Sequence, residues 1–140
     1  MKNSMKLKFS AISINESFAR LAVASFCANE KLTVEEISDI KTAVSEAVTN
    51  SIVHGYNGMT GEIEIECNIF NDYIEIIIID HGVGIDDIEQ AMKPFYTTKP
   101  DAERSGMGFT VMEGFMDKLE VESSKGIGTK VKFIKNLNNK

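Results

Sequence analysis

Between Gly61 and Phe70 the chain alternates strictly: Ile63, Ile65, Cys67 and Ile69 interleave with Glu62, Glu64, Glu66 and Asn68. A period of two puts the four apolar side chains on one face of a strand, whereas a helix would scatter the glutamates around its circumference. The Asn71-Asp72 pair that follows supports a tight hairpin. The returning segment, Tyr73 to Asp80, carries Ile76 to Ile79 without a break, the pattern of a more buried, central strand. The chain must therefore build a sheet with an apolar face, and its other segments have to cover that face.

At the start, Met5, Leu7, Phe9 and Ala11 alternate with Lys6, Lys8 and Ser10, which predicts a half-buried strand at a sheet edge. Asn15 to Asn29 reads as a helix with Ser13 or Asn15 as N-cap. Its face Phe18, Leu21, Ala22 and Ser25 is expected in the core, with Val23, Ala24 and Cys27 opposite, beside a lone Arg20. A helix apolar nearly all round is deeply buried or docks a partner. Thr33 to Glu36 forms a capping-box pattern. The helix it opens is expected to run to about Val53 and to stop before Gly55, with Ile37, Ile40, Val44, Val48 and Ile52 as its core stripe. Ile85 to Met107 shows no single period and contains Pro94 and Pro100; it reads as a short helix near Ile88 to Lys93 followed by a mobile loop. Gly108 to Met116 looks helical, and Leu119 to Ser123 and Thr129 to Ile134 are two further strands around the turn Lys125 to Gly128. This order predicts an α+β fold, a two-layer sandwich of a mixed, mostly antiparallel sheet with helices on one face.

With 140 residues the chain fits a single domain spanning 1–140. Its formal net charge of −6 argues against non-specific nucleic-acid binding, which needs clustered Lys and Arg to neutralise phosphates. The two cysteines, Cys27 and Cys67, sit in apolar surroundings and read as buried free thiols, compatible with a reducing cytoplasm. No run approaches the ~20 apolar residues of a membrane span, and Met1 to Phe9 has no signal-peptide core. The expectation is a soluble cytoplasmic protein with no membrane or nucleic-acid partner.

Four segments hold polar residues or glycines that the core does not require. In Ser45 to His54, Glu46 and Asn50 lie four apart and so share one helical face, away from the apolar stripe. Asn50 offers a carbonyl oxygen suited to Mg²⁺, and Glu46 can take a proton from an attacking hydroxyl or water. In Asp80-His81-Gly82-Val83-Gly84, Asp80 at a strand end can accept a hydrogen bond from an exocyclic amine such as adenine's. Gly82 and Gly84 let backbone approach a flat ligand and adopt positive φ. Arg104 to Thr110 opens a helix, where backbone N–H groups and the helix dipole favour anions and Gly106 and Gly108 admit a phosphate. Gly126 to Thr129 precedes the last strand, and Thr129 can hydrogen-bond at the base of the sheet. Taken singly, these segments also read as a solvated helix face, a turn, a glycine pair and a hairpin.

In this order the four resemble the boxes of the Bergerat-fold ATPase superfamily, which includes the ATP-binding domains of gyrase, heat-shock chaperones and sensor histidine kinases. The resemblance implies Asn50 as Mg²⁺ ligand, Asp80 as adenine acceptor, Ser105, Gly106, Met107 and Gly108 as a phosphate-binding box, and Thr129 in a box supporting adenine. It implies ATP bound under a lid at about 85–107. Ser45 to Tyr56, Pro94 to Pro100 and Arg104 to Met112 further resemble the sporulation anti-sigma F factors, which are also serine kinases. By that resemblance the chain binds and inhibits sigma F when carrying ATP, phosphorylates a serine of an anti-anti-sigma factor, and forms a homodimer.

In the mechanism so implied, Thr97, Thr98 and Lys99 of the lid add hydroxyl and cationic contacts to the phosphates, and Glu46 orients the partner serine and accepts its proton. Arg20 is the expected anchor for an acidic partner group. Arg104 flanks the phosphate loop and serves either site. Competing readings are a non-catalytic ATP-gated sigma-binding module, a stress-response switch kinase, and a histidine-kinase catalytic domain. The last lacks a phosphoacceptor helix, since the only histidines, His54 and His81, fall within the nucleotide motifs.

Overall fold

The structure is a computed structural model, and it describes residues 1–85 and 108–137. The alternating segments form the strands they predict: β1 (Asn3–Ser10), β2 (Glu62–Ile69), β3 (Tyr73–Asp80), β4 (Lys118–Ser124) and β5 (Gly128–Asn136). They make one sheet in the order β1-β2-β3-β5-β4, antiparallel throughout. β1 lies at an edge and β3 in the middle, as their apolar patterns predict. The β2–β3 register sets Ile65 opposite Ile78 and Cys67 opposite Ile76, so both strands aim the same face at the helices.

Among the described residues three helices, α1 (Asn15–Cys27), α2 (Val34–Asn50) and α3 (Gly108–Phe115), cover that face, with α2 between the other two. Ile63, Ile65, Ile74, Ile76, Ile78 and Phe133 from the sheet meet Ile40, Val44, Val48 and Met112 from the helices. The opposite face carries a charge lattice: Lys8–Glu64 at 3.3 Å, and Lys132 at 3.3 Å from Glu75 and 3.5 Å from Glu120. The isoleucine run therefore serves both sides. Ile76 and Ile78 enter the core, while Ile77 and Ile79 are half-buried among the charged stems.

The capping box opens α2: Thr33 Oγ1 accepts from the Glu36 N–H at 3.0 Å, and Glu36 Oε1 accepts from the Thr33 N–H at 2.9 Å. Two expectations for the helices are corrected. Neither Ser13 nor Asn15 caps α1 through its side chain. The chain enters α1 already turned, with the Asn15 and Glu16 N–H groups donating to the Ile12 and Ser13 carbonyls, so no side-chain cap is required. The buried face of α1 is also the other one: Ala19, Val23, Ala24 and Cys27 are buried, whereas Phe18 and Leu21 are 50% and 55% exposed. Small side chains on the inner face let α1 pack closely on the core.

Gly55 does not stop the second helix. α2 continues as a wider, π-helical segment, Ser51–Tyr56, and ends at Asn57, which adopts the left-handed conformation (φ 51°). Among the described residues no helix is long and apolar enough to cross a membrane.

Candidate functional site

The site forms where the end of β3 meets the end of the α2 helix. Asp80 closes β3 and is almost fully buried. A buried carboxylate needs donors, and two are present among the described residues. The Ser51 hydroxyl donates to Asp80 Oδ2 at 2.7 Å, and the Gly82 N–H donates to Oδ1 at 2.9 Å. Ser51 is the first residue of the π-helical segment, directly after Asn50, so the residue that holds Asp80 adjoins the expected metal ligand.

The Asp80–Gly84 turn lies directly on that helix end. The Val83 N–H donates to the Gly55 carbonyl at 2.8 Å. A Cβ on Gly82 would stand 2.1 Å from the Gly55 oxygen, so only glycine fits there. Gly84 answers the other requirement, positive φ, at +79°. Tyr56 clamps the turn from below: its hydroxyl donates to the Glu62 carbonyl and accepts from the His81 N–H. On the β4–β5 side, Ser123 Oγ accepts from the Ile85 N–H at 2.7 Å and lies 2.9 Å from Thr129 Oγ1. Thr129 in turn pairs with Asp80 in the sheet register.

The neighbouring side is built by two helix ends. Asn50 ends α2 and Glu46 lies one turn before it, both half-buried. Gly108 opens α3 against Asn50: a Cβ there would stand 2.9 Å from Asn50 Nδ2. Asn50, Asp80, Gly82, Gly84, Gly108 and Thr129 thus belong to one continuous wall. Thr97, Thr98, Lys99, Arg104, Ser105, Gly106 and Met107 lie outside the described residues. Among the described residues no three His, Cys, Asp or Glu side chains gather to hold a metal ion. A cation suited to this wall is a hard one that takes an amide oxygen and completes its shell from phosphates and water, which fits Mg²⁺.

Arg20 is not the lone charge that the sequence predicts. Its Nε lies 3.2 Å from Glu16 Oε2 and its Nη2 donates to Ser17 Oγ at 2.8 Å. It lies three, four and seven positions before Val23, Ala24 and Cys27, at the edge of their side of α1 and away from the exposed Phe18 and Leu21.

Sequence reasoning missed Ser51, Gly55, Tyr56 and Ser123. Each acts by holding another residue, and the partners lie 25 to 38 positions away for Ser51–Asp80, Tyr56–His81 and Ser123–Ile85. Adjacency of Ser51 to Asn50 was the one local signal available.

Comparison with known proteins shows the family and the fold. Residues 11–135 match the histidine kinase-like ATPase domain family. The anti-sigma F factor of Clostridium beijerinckii is 61% identical over 137 residues, covering 97% of this chain and 96% of that protein. Those of Clostridium novyi and Oceanobacillus iheyensis are 57% and 55% identical, over 96% and 98% of this chain and 95% and 94% of theirs. Among solved structures, the RsbU and RsbW domains of Rv1364c from Mycobacterium tuberculosis share the fold, with a TM-score of 0.69 at 16% identity. That match covers 97% of this chain and 33% of the other.

Proposed function

The chain belongs to the histidine kinase-like ATPase domain family and, within it, to the anti-sigma F factors, and we propose that it is an ATP-dependent serine kinase that also inhibits a sigma factor. In this reading it binds sigma F in its ATP-bound state and phosphorylates a serine of an anti-anti-sigma factor, controlling sporulation transcription as a homodimer. The observation that supports it most is the single wall formed by Asp80, Asn50 and Gly108, with Ser51 joining the first two.

Each residue has a defined task in the proposal. Asp80 accepts a hydrogen bond from the adenine amine; Ser51 and Gly82 occupy one lone pair on each carboxylate oxygen and leave others for the ligand. Gly82 and Gly84 keep that end free of side chains. Thr129 supports the same end from β5. Asn50 holds Mg²⁺ through its amide oxygen, and the ion supplies positive charge to the triphosphate. Backbone N–H groups of Ser105 to Gly108 cradle phosphate oxygens, with Thr97, Thr98 and Lys99 adding contacts. Glu46, one helical turn from Asn50, accepts the proton of the partner serine as the serine oxygen attacks the γ-phosphorus of ATP and the bond to the bridging oxygen breaks, releasing ADP. Arg20, held by Glu16 and Ser17, contacts the protein partner; Arg104 serves the partner or the phosphates.

The test is label transfer from γ-labelled ATP to the anti-anti-sigma protein. Acid-stable phosphoserine is expected. Glu46→Gln should keep nucleotide affinity and slow transfer by about 10²-fold or more. No label on the partner would make the chain a pure ATP-gated binder, and a parental rate in the Glu46→Gln variant would remove Glu46 from the chemistry.

A further inference from the structure

β5 points alternate side chains into the core, Val131 and Phe133 among them, and by that alternation position 135 also faces inward. It is a lysine. Its side chain is 9% exposed, donates from Nζ to the carbonyl of Phe115 at 3.0 Å, and lies 3.7 Å from Asp39 Oδ2. Phe115 is the last residue of α3, and Asp39 belongs to the first half of α2. Two more bonds secure the same corner. The Asp117 N–H donates to the Ile134 carbonyl at 3.0 Å, and the Asn136 N–H donates to Asp117 Oδ2 at 2.7 Å.

α2 and α3 pack against each other in opposite directions, since Gly108 meets Asn50 at one end and Phe115 lies with Asp39 at the other. Lys135 therefore fastens the end of the helix pair farthest from the nucleotide site. A buried ammonium is a weak source of stability, because desolvation offsets most of what its partners return, and an apolar side chain of similar size often serves as well. An ammonium bound to the end carbonyl of one helix and paired with a carboxylate on the next does something an apolar contact does not. It ties the lengthwise position of α3 to α2 at defined atoms, in addition to the ridge-and-groove packing of their apolar side chains.

We propose that Lys135 is a positioning residue for phosphoryl transfer: by locking α3 lengthwise against α2, it sets Gly108 relative to Asn50 and Glu46. This rests on the kinase reading above. The adenine end is tied to Ser51 and Gly55 rather than to α3, so the two ends of the site respond differently when the lock is removed.

The experiment compares the parent chain with K135M, in which an unbranched apolar side chain fills the same space. ADP affinity is expected to stay within about threefold, while transfer at saturating ATP falls about ten- to a hundredfold, the range for a displacement of an ångström or less. The readout that a merely structural lysine would not move is the split itself, transfer falling while ADP affinity holds, whatever the unfolding midpoint does. K135M transferring at the parental rate, or losing affinity and transfer in equal measure, overturns the proposal. Should K135M not fold, D39N, which keeps the bond to Phe115, must show the same split in smaller size, and parental kinetics in D39N overturn it. A magnetisation-transfer contact between the Asn50 side-chain amide and the Gly108 α-protons separates the two readings. If the parent transfers no phosphate, the kinase reading fails. The lock then stands if K135M removes that contact and falls if the contact persists.

Discussion

Replacing Ser51 by alanine removes one of the two donors to the buried Asp80 carboxylate and nothing else of size. The lost bond is 2.7 Å long, between two buried groups. A hydrogen bond to a charged acceptor contributes about 1.5–3 kcal/mol, and the loss falls at the upper end when the acceptor cannot recover a water. For a chain of this length that corresponds to a fall in melting temperature of about 5–10 °C. A second effect follows from geometry. With only the Gly82 N–H left of its two donors among the described residues, the carboxylate can rotate about its last bond, and the oxygen that the proposed function gives to the adenine amine is no longer aimed. An affinity loss of about tenfold for ADP corresponds to ~1.4 kcal/mol, within the range of one misdirected hydrogen bond. Thermal unfolding with and without saturating ADP, together with ADP titration calorimetry, measures both effects on the same samples. A melting temperature within about two degrees of the parent's would show that the Ser51–Asp80 bond carries little weight. A lowered one with parental ADP affinity would show that Asp80 does not grip the nucleotide.

Gly82→Ala drives a methyl to 2.1 Å from the Gly55 carbonyl, so the turn must leave the helix end. ADP binding should fall more than about tenfold and stability by about 2–3 kcal/mol, and calorimetry showing parental affinity would mean that the turn does not line the pocket. The two thiols should be inert. The Cys67 thiol, hydrogen-bonded to Cys27, deeply buried and beside the Glu66 charge, is pushed far above the ordinary thiol range and stays protonated. Iodoacetamide at about pH 8 should label neither Cys27 nor Cys67 until denaturant is added, as intact-mass spectrometry will show. Native-state labelling of Cys67 would contradict that burial.

The fold was largely legible because its signals are local. The Ile/Glu alternation of β2, the isoleucine run of β3 and the Thr33–Glu36 capping box each describe a few consecutive residues, and each became the element that it predicts. The order of these elements then leaves few ways to cover one apolar face. Where the sequence misled, several faces met the same local rule. α1 is apolar nearly all round, so its pattern cannot say whether Phe18 or Val23 points inward, and packing chose the smaller side chains. Gly55 carries the mark of a helix end, yet it is there so that Asp80 and the Gly82 turn can approach the helix backbone. No local pattern distinguishes those two uses of glycine.

The amino-acid sequence on its own singled out the candidate site residues, because an amide one turn from a glutamate and an aspartate before spaced glycines are visible without coordinates. Only the tertiary structure decided which residues hold them in place. Ser51 reaches Asp80 across 29 positions, and Lys135 reaches Phe115 across 20. Such bonds depend on where the chain returns in space, and the period of a strand or helix carries no information about that.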